Sequence, residues 1–93
     1  MYEILYTKTF LDTIKKFRKD KELMRSLFKK IARLRREPRG RFLKGRLRNY
    51  KSVRIKGVYR LIFKVDEKKK RILLVAFAHR KVIYGYILTF IKR

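Results

Sequence analysis

The spacing of the apolar residues changes once along the chain, and this change limits the fold more than any other feature. Between residues 10 and 34 the apolar residues recur every three or four positions, as on one face of a helix. Between residues 50 and 78 they alternate or run together, as they do in strands. The helical set comprises Phe10, Leu11, Ile14 and Phe17, followed by Leu23, Met24, Leu27, Phe28, Ile31 and Leu34. This order predicts an α+β protein whose helices and strands occupy separate parts of the chain.

Alternation and turn-forming residues set the expected order of elements. Residues 1–7 alternate as a first strand, and the second helix should end near Arg36 because Pro38 follows it. A loop then runs to about Lys44, and strands are expected over residues 50–56, 59–65 and 71–78. We therefore predict two N-terminal helices packed on a mainly antiparallel four-stranded sheet, in the order β-α-α-β-β-β. Residues 81–92 fit either a short helix or a strand, because periodicity alone does not separate the two.

Length and residue types exclude several classes of protein. A chain of 93 residues supports one domain, which we expect to span residues 1–93. Cysteine is absent, His79 is the only histidine, and the seven acids have no metal-ligand spacing, so we expect no metal or other cofactor. The sequence has neither a secretory signal nor an apolar run long enough for a membrane span, so we expect a cytoplasmic protein that does not engage a membrane.

The charge balance points to a polyanionic partner. Lysine and arginine number 30 against seven acids, which gives a formal net charge of +23. Because such an excess repels itself in a compact chain, nucleic acid is the expected partner, although a ribosomal or chromosomal structural protein would show the same excess. Part of the charge forms a basic stripe on the outer face of the second helix, namely Arg25, Lys29, Lys30, Arg33 and Arg36. We interpret this stripe as an ordinary solvated helix face, with phosphate contact as the alternative.

The hairpin around Gly57 gives a more specific expectation. A three-residue loop over residues 57–59 would set Lys56 opposite Arg60 and Ile55 opposite Leu61, with all the apolar residues on one face. The other face would then collect Ser52, Arg54, Lys56, Arg60, Ile62 and Lys64. Like charges placed opposite each other destabilise a sheet, so this cluster is interpreted as a phosphate site rather than as a solvated face.

Arginine, lysine, tyrosine and one histidine suffice for chemistry on RNA. When a 2′-hydroxyl attacks the adjacent phosphate, guanidinium groups stabilise the growing charge and a proton must move between oxygens. Tyr84 or His79 has the chemistry to carry that proton, while a lone histidine at the end of a strand is more often a packed residue.

Three segments resemble the RelE/ParE toxin superfamily: Leu43-Lys44-Gly45, the hairpin from Tyr50 to Phe63 with Val58-Tyr59-Arg60 at its centre, and His79-Arg80-Lys81-Val82-Ile83-Tyr84. The resemblance covers nearly the whole chain and implies a microbial RNase-like fold that lacks the usual catalytic residues. It also implies a toxin of a toxin-antitoxin pair. RelE-like members cut mRNA in the ribosomal A site, whereas ParE-like members inhibit DNA gyrase.

The resemblance also implies roles for particular residues. Arg60, Arg80 and Tyr84 match catalytic positions of the superfamily, Arg54 matches one of its strand cations, and His79 is a candidate proton carrier. A second strand lysine of RelE members falls near Ser52. No glutamate lies between Arg39 and Lys64, so the carboxylate of an acid-base pair found in some relatives is missing. The expected RNA-binding residues are Lys44, Lys51, Lys56 and Lys64.

These observations lead to one leading function and two alternatives. We expect a type II toxin that acts as a ribosome-dependent mRNA endoribonuclease, with an acidic, RelB-like antitoxin, the ribosome and mRNA as partners. The antitoxin would cover the cationic sheet face or displace residues 81–92. A ParE-like gyrase inhibitor and a non-catalytic RNA-binding or ribosome-binding module are the alternatives.

Overall fold

The computed structural model describes residues 1–91, in which helices and strands follow the order that the sequence predicts, with two additions. The elements are β1 (Glu3–Tyr6), α1 (Lys8–Lys15), α2 (Lys21–Arg36), β2 (Arg41–Phe42), a 3-10 helix (Gly45–Leu47), β3 (Lys51–Ile55), β4 (Tyr59–Asp66), β5 (Arg71–His79) and α3 (Ile83–Ile91). Within the described range, no helix has both the length and the apolar character needed to cross a bilayer.

The strands form one mixed sheet in the order β1-β5-β4-β3-β2. β1 runs parallel to β5, and the other neighbouring pairs are antiparallel. The predicted α+β class is confirmed, but within residues 1–91 the sheet has five strands rather than four, because β2 forms where a loop was expected. For residues 81–92 the sequence allowed either a helix or a strand, and the structure has helix α3 there, which runs to Ile91. Lys92 lies outside the described residues.

Side-chain caps and a proline set the limits of the first two helices. The Thr7 side chain accepts a hydrogen bond from the Phe10 amide at the start of α1, and Asp20 accepts one from the Leu23 amide at the start of α2. Each cap satisfies an amide that the first helical turn leaves without a partner. α2 ends at Arg36, two residues before Pro38, as predicted.

Each face of the sheet buries its own core. α1 and α2 cover one face with a core that includes Phe10, Leu23, Leu27, Ile31, Leu34, Ile55, Leu61, Phe63, Ile72, Leu74 and Phe77. α3 covers the other face with a smaller core of Leu47, Ile62, Val75, Ala76, Ala78, Ile83 and Ile87. An irregularity in the β4–β5 pairing beside Ile62 and Phe63 lets Val75 and Ala76, which are consecutive, both join the smaller core.

Threonine side chains of the N-terminal segment complete the outer edge of β5. β1 pairs with β5 only as far as Leu74. Beyond that point the Thr7 hydroxyl lies 2.9 Å from the Leu74 carbonyl oxygen and 3.0 Å from that of Val75. The buried Thr13 hydroxyl accepts a hydrogen bond from the Phe77 amide at 3.1 Å and donates one to the Phe10 carbonyl at 2.7 Å. These contacts supply hydrogen-bond partners where the strand pairing ends.

The hairpin between β3 and β4 closes earlier than predicted. Ile55 pairs with Tyr59, so the loop is residues 56–58 and Arg54, rather than Lys56, pairs with Arg60. The reason is that both Lys56 and Gly57 adopt left-handed backbone angles, with φ of 49° and 82°. The predicted register is therefore wrong by two residues. Because side chains alternate with a period of two, the paired residues of both strands keep their predicted faces. Lys56 does not, because it lies in the loop and forms an ion pair with Glu22 of α2 instead of joining the cationic face.

Candidate nucleic-acid interface

A groove of about 430 Å³ opens on the α3 side of the sheet, and several of the predicted site residues line it. Its walls come from the segment around β2, from β3 and β4, and from the first turn of α3. The lining residues are Arg41, Phe42, Leu43, Lys44, Leu47, Ser52, Arg60 and Tyr84.

Strand pairing brings the cations of this face together. Arg60 on β4 pairs with Arg54 on one side and with Ala78 on the other. Arg41 pairs with Ser52, so its side chain projects from the same face of the sheet. Arg60 is half-buried, Arg54 is exposed and Ser52 is 6% exposed. Like charges side by side favour a bound anion, because an anion offsets their repulsion.

The 3-10 helix holds Lys44 at the rim of the groove. Leu47 anchors this helix in the smaller core, and the Leu43 amide donates a hydrogen bond to the Tyr50 carbonyl at 2.9 Å. Gly45, which directly follows Lys44, has a φ of 67°, in the region that glycine enters without a steric penalty. The segment that carries Lys44 is therefore fixed by packing on one side and by the backbone on the other.

Helix α3 presents Tyr84 to the groove. Ile83 and Ile87 are fully buried against the sheet, which fixes the rotation of the helix, while Tyr84 is 46% exposed. An exposed aromatic ring beside cations is a common way to stack an unpaired base.

Arg80 lies just outside the lining of this groove, in the turn after β5. Its backbone amide donates to the Val58 carbonyl at 2.8 Å, which ties the end of β5 to the tip of the β3–β4 hairpin. Its side chain is exposed. The catalytic roles assigned to Arg54, Arg60, Arg80 and Tyr84 stay predictions.

His79 projects from the opposite face of the sheet. Its ring meets the Tyr59 ring edge to face, with centroids 5.7 Å apart, and Nδ1 accepts a hydrogen bond from the Lys81 amide at 3.1 Å. It lines a separate cleft together with Phe17 and Phe77. The proton-carrying role of His79 stays a prediction, and the geometry gives the ring a second role, which is to fix the turn that carries Arg80.

The predicted RNA-binding lysines occupy different surroundings. The Lys51 Nζ donates to the Pro38 carbonyl at 3.1 Å and lies 4.8 Å from the centre of the Phe42 ring. Lys56 forms an ion pair with Glu22 of α2.

Lys64 projects from the groove side of β4, 5.7 Å from the centre of the Tyr50 ring. Lys44 and Lys64 are thus on the face that carries the groove, whereas Lys51 and Lys56 contact the α2 side. Their RNA-binding roles stay predictions.

Sequence reasoning missed Arg41. The two-residue strand β2 is too short to give a periodic pattern, so its segment was interpreted as a loop. The sequence did contain one signal, because Arg41 lies two residues before Leu43 and alternate residues of an extended segment share a face. Arg41 would then project from the same face as Leu43, which lines the groove.

Comparisons with known proteins give the class of the fold. Three solved structures that match the chain are the toxin-antitoxin complex RelBE2 of Mycobacterium tuberculosis, a YafQ mutant of E. coli and a mutant of the E. coli toxin RelE in the free state. The RelBE2 match has 26% identity and a TM-score of 0.72, and covers 85% of this chain and 98% of the other. The YafQ match has 16% identity and a TM-score of 0.76, and covers 91% and 100%. The RelE match has 19% identity and a TM-score of 0.74, and covers 97% of both chains.

Sequence comparison alone finds neither a matching family model nor a matching curated protein. The fold is that of toxins from toxin-antitoxin systems. Within that class it is the fold of the RelE/ParE toxin superfamily, which confirms the resemblance seen in the sequence.

Proposed function

We propose that this protein is the toxin of a type II toxin-antitoxin pair and that it cleaves mRNA on the ribosome. The observation that carries the proposal is the groove, which combines Arg41, Lys44 and Arg60 with the exposed ring of Tyr84. Cations that bind phosphate beside a ring that stacks on a base suit single-stranded RNA.

The chemistry follows from the charge that develops during cleavage. The 2′-oxygen loses its proton and attacks the adjacent phosphorus, the bond to the 5′-oxygen breaks, and that oxygen takes up a proton. The products are a 2′,3′-cyclic phosphate and a 5′-hydroxyl. Arg60 is half-buried, so its guanidinium stabilises the phosphorane charge more strongly than a fully solvated cation does. Arg54 and Arg80 add positive charge at the edge of the site.

Dependence on the ribosome follows from the residues that line the groove. They include no carboxylate or imidazole, so the Tyr84 hydroxyl and the Lys44 ammonium group are left to exchange protons with the substrate. A site with weak acid-base groups gains most from a substrate that is already held with the 2′-oxygen in line with the leaving oxygen. A ribosome with mRNA in its A site supplies such a substrate.

The same surface suits an acidic antitoxin. RelBE2 of M. tuberculosis is a toxin-antitoxin complex, and the E. coli RelE mutant has been solved with a peptide of its antitoxin RelB. An acidic segment laid over the Arg54–Arg60 pair would relieve the repulsion between these two side chains. A cognate antitoxin should therefore raise the melting temperature of the toxin as well as silence it.

The test is a cell-free translation reaction with a reporter mRNA, followed by mapping of the RNA ends. We expect cuts at A-site codons with a 2′,3′-cyclic phosphate on the upstream fragment, while naked mRNA stays intact. Arg60→Ala should lower the cleavage rate by about 10²-fold with less effect on ribosome binding. Lys68→Ala, in the exposed β4–β5 turn, is the matched control and should cleave normally. Intact mRNA combined with inhibition of gyrase supercoiling would contradict the proposal and support a ParE-like inhibitor.

A further inference from the structure

The basic stripe of α2 lies on the side of the molecule opposite the groove. α2 packs through Leu23, Leu27, Ile31 and Leu34 on one face of the sheet, while the groove opens on the other. The stripe residues point away from that core, and Lys29, Lys30 and Arg33 surround Ser26 in a shallow depression of about 500 Å³. The stripe is therefore a second cationic surface that the proposed cleavage site does not use.

The acids near α2 are engaged elsewhere. Asp20 caps the first turn of the helix, Glu22 pairs with Lys56, and Glu37 pairs with Arg39. Within residues 1–91, no acidic side chain forms an ion pair with a residue of the stripe. Cations three or four residues apart on a helix destabilise it by a few tenths of a kcal/mol, about 0.2–0.5 per pair. A bound polyanion would remove this cost.

The shape of the stripe favours a straight polyanion. Arg25, Lys29 and Arg33 are four residues apart, so they recur about every 6 Å along the axis of a helix about 24 Å long. A rigid row of cations with regular spacing matches the regular phosphates of a duplex better than it matches a single anion or a coiled strand.

The side chains around the stripe favour nucleic acid over a protein. Protein interfaces have an apolar or aromatic centre, whereas nucleic-acid interfaces are polar and strongly cationic. Phe28 and Ala32 of α2 are exposed on the other flank of the helix. They line a separate cleft together with Met1 and Tyr2. The stripe itself has no aromatic residue on which an unpaired base would stack.

We infer that the basic stripe is a docking surface for the phosphate backbone of duplex RNA. The choice of RNA rather than DNA rests on the proposed function, in which the groove works on the ribosome. The docking itself needs no chemistry from the groove. One molecule should then hold a duplex on α2 while its groove holds a single strand.

Two variants of equal net charge test this inference. Lys29→Gln with Arg33→Gln neutralises the stripe, and Lys68→Gln with Lys69→Gln removes the same charge from the exposed β4–β5 turn. The probes are a blunt RNA duplex of about 20 base pairs, a DNA duplex of about the same length, and an oligouridine strand of about the same number of nucleotides. Dissociation constants are measured over a range of salt concentrations, and circular dichroism checks that both variants fold.

For the duplex, the stripe variant should bind about tenfold more weakly at about 0.15 M salt, and its salt slope should fall by about one for each phosphate contact removed. The turn variant should change less than threefold, and both variants should bind oligouridine almost as the parent protein does. The parent protein should bind the duplex and oligouridine at the same time, without competition between them.

Three results would overturn the inference. Equal weakening by both variants would mean that only total charge matters. Competition between duplex and oligouridine would mean a single shared surface. Tighter binding of a DNA duplex than of the RNA duplex would contradict the choice of RNA. If the parent protein binds the RNA duplex as expected but does not cleave mRNA on ribosomes, the result counts against the proposed function and not against this inference.

Discussion

His79 illustrates how one side chain acts through its neighbours. Its Nδ1 accepts a hydrogen bond from the Lys81 amide, and this contact fixes the turn that contains Arg80. An asparagine oxygen makes the same contact with the amide two residues later, whereas alanine makes none. His79→Asn should therefore keep the cleavage rate within about threefold, while His79→Ala should lower it about tenfold by misplacing Arg80.

Cleavage by the two variants, measured as a function of pH, separates this positioning role from proton transfer. A turn-fixing residue leaves the pH profile of the asparagine variant like that of the parent protein. If both variants lose activity equally and the pH profile of cleavage loses one limb, the ring itself carries the proton.

Tyr2 gives a prediction about pH. Its hydroxyl donates to the Glu67 Oε2 at 2.8 Å, and this hydrogen bond raises the pKa of the Tyr2 phenol above its usual value of 10.0. The folded state therefore favours the neutral phenol. The stability that this hydrogen bond adds is complete below the pKa of Tyr2 in the unfolded chain, and it is lost as the pH rises through the pKa of Tyr2 in the folded protein. The free energy of unfolding should fall more between about pH 9 and pH 11 in the parent protein than in Tyr2→Phe, as measured by urea unfolding. Equal slopes would contradict this assignment.

At the scale of elements, the edge of β5 depends on the side chain of Thr13. Thr13→Val keeps the shape of this residue but removes the acceptor for the Phe77 amide and the donor to the Phe10 carbonyl. Leaving a buried backbone group without a partner costs about 1–3 kcal/mol, so the free energy of unfolding should fall by about that amount. Thr9→Val on the same helix is the control and should change it by less than about 0.5 kcal/mol. Faster hydrogen exchange at Phe77 would locate the effect, and equal stability of the two variants would count against it.

Two glycines in different elements predict opposite effects of the same substitution. A Cβ on Gly40 would lie 2.8 Å from the Phe63 ring and 3.1 Å from the Ser52 carbonyl oxygen, and Phe63 is fully buried. Gly40→Ala should therefore destabilise the protein by about 1–3 kcal/mol. A Cβ on Gly85 in α3 meets open space, so Gly85→Ala should stabilise it by about 0.5–1 kcal/mol through helix propensity. Chemical denaturation of both variants measures these changes. If Gly85→Ala also lost stability, the expectation that a methyl group fits there would be wrong.

The elements also show what the sequence reveals and what it hides. Long periodic segments such as α2 and β5 were predicted with nearly correct limits, because many residues contribute to each pattern. β2 was missed because two residues make no pattern, and the hairpin register failed because left-handed angles at Lys56 are a local backbone choice that spacing does not encode. In the candidate site, Arg60 and Tyr84, which the sequence analysis named, line one groove, and their catalytic roles stay predictions. Arg41 joins them only because β2 pairs with β3.

At the scale of the whole molecule, the net charge of +23 should make stability depend on salt. Raising monovalent salt from about 0.01 M to about 0.15 M shortens the screening length from about 30 Å to about 8 Å and weakens the repulsion among the cations. If the screening contributes about 1 kcal/mol, the melting temperature should rise by about 4–8 °C for a chain of this size. Differential scanning calorimetry in sodium chloride measures the shift. A melting temperature that falls with salt would show that the six ion pairs among residues 1–91 outweigh the repulsion.

The parallel pairing of β1 with β5 orders events during synthesis of the chain. β1 is made first, yet its strand partner is residues 71–74, and β5 must fill the position between β1 and β4 before the sheet is continuous. The nascent chain therefore cannot close its sheet until most of it has left the exit tunnel. Tyr84, which completes the wall of the groove, is made later still. If the protein attacks ribosomes, the ribosome that makes each molecule is protected from it until residues 71–84 have left the exit tunnel and folded.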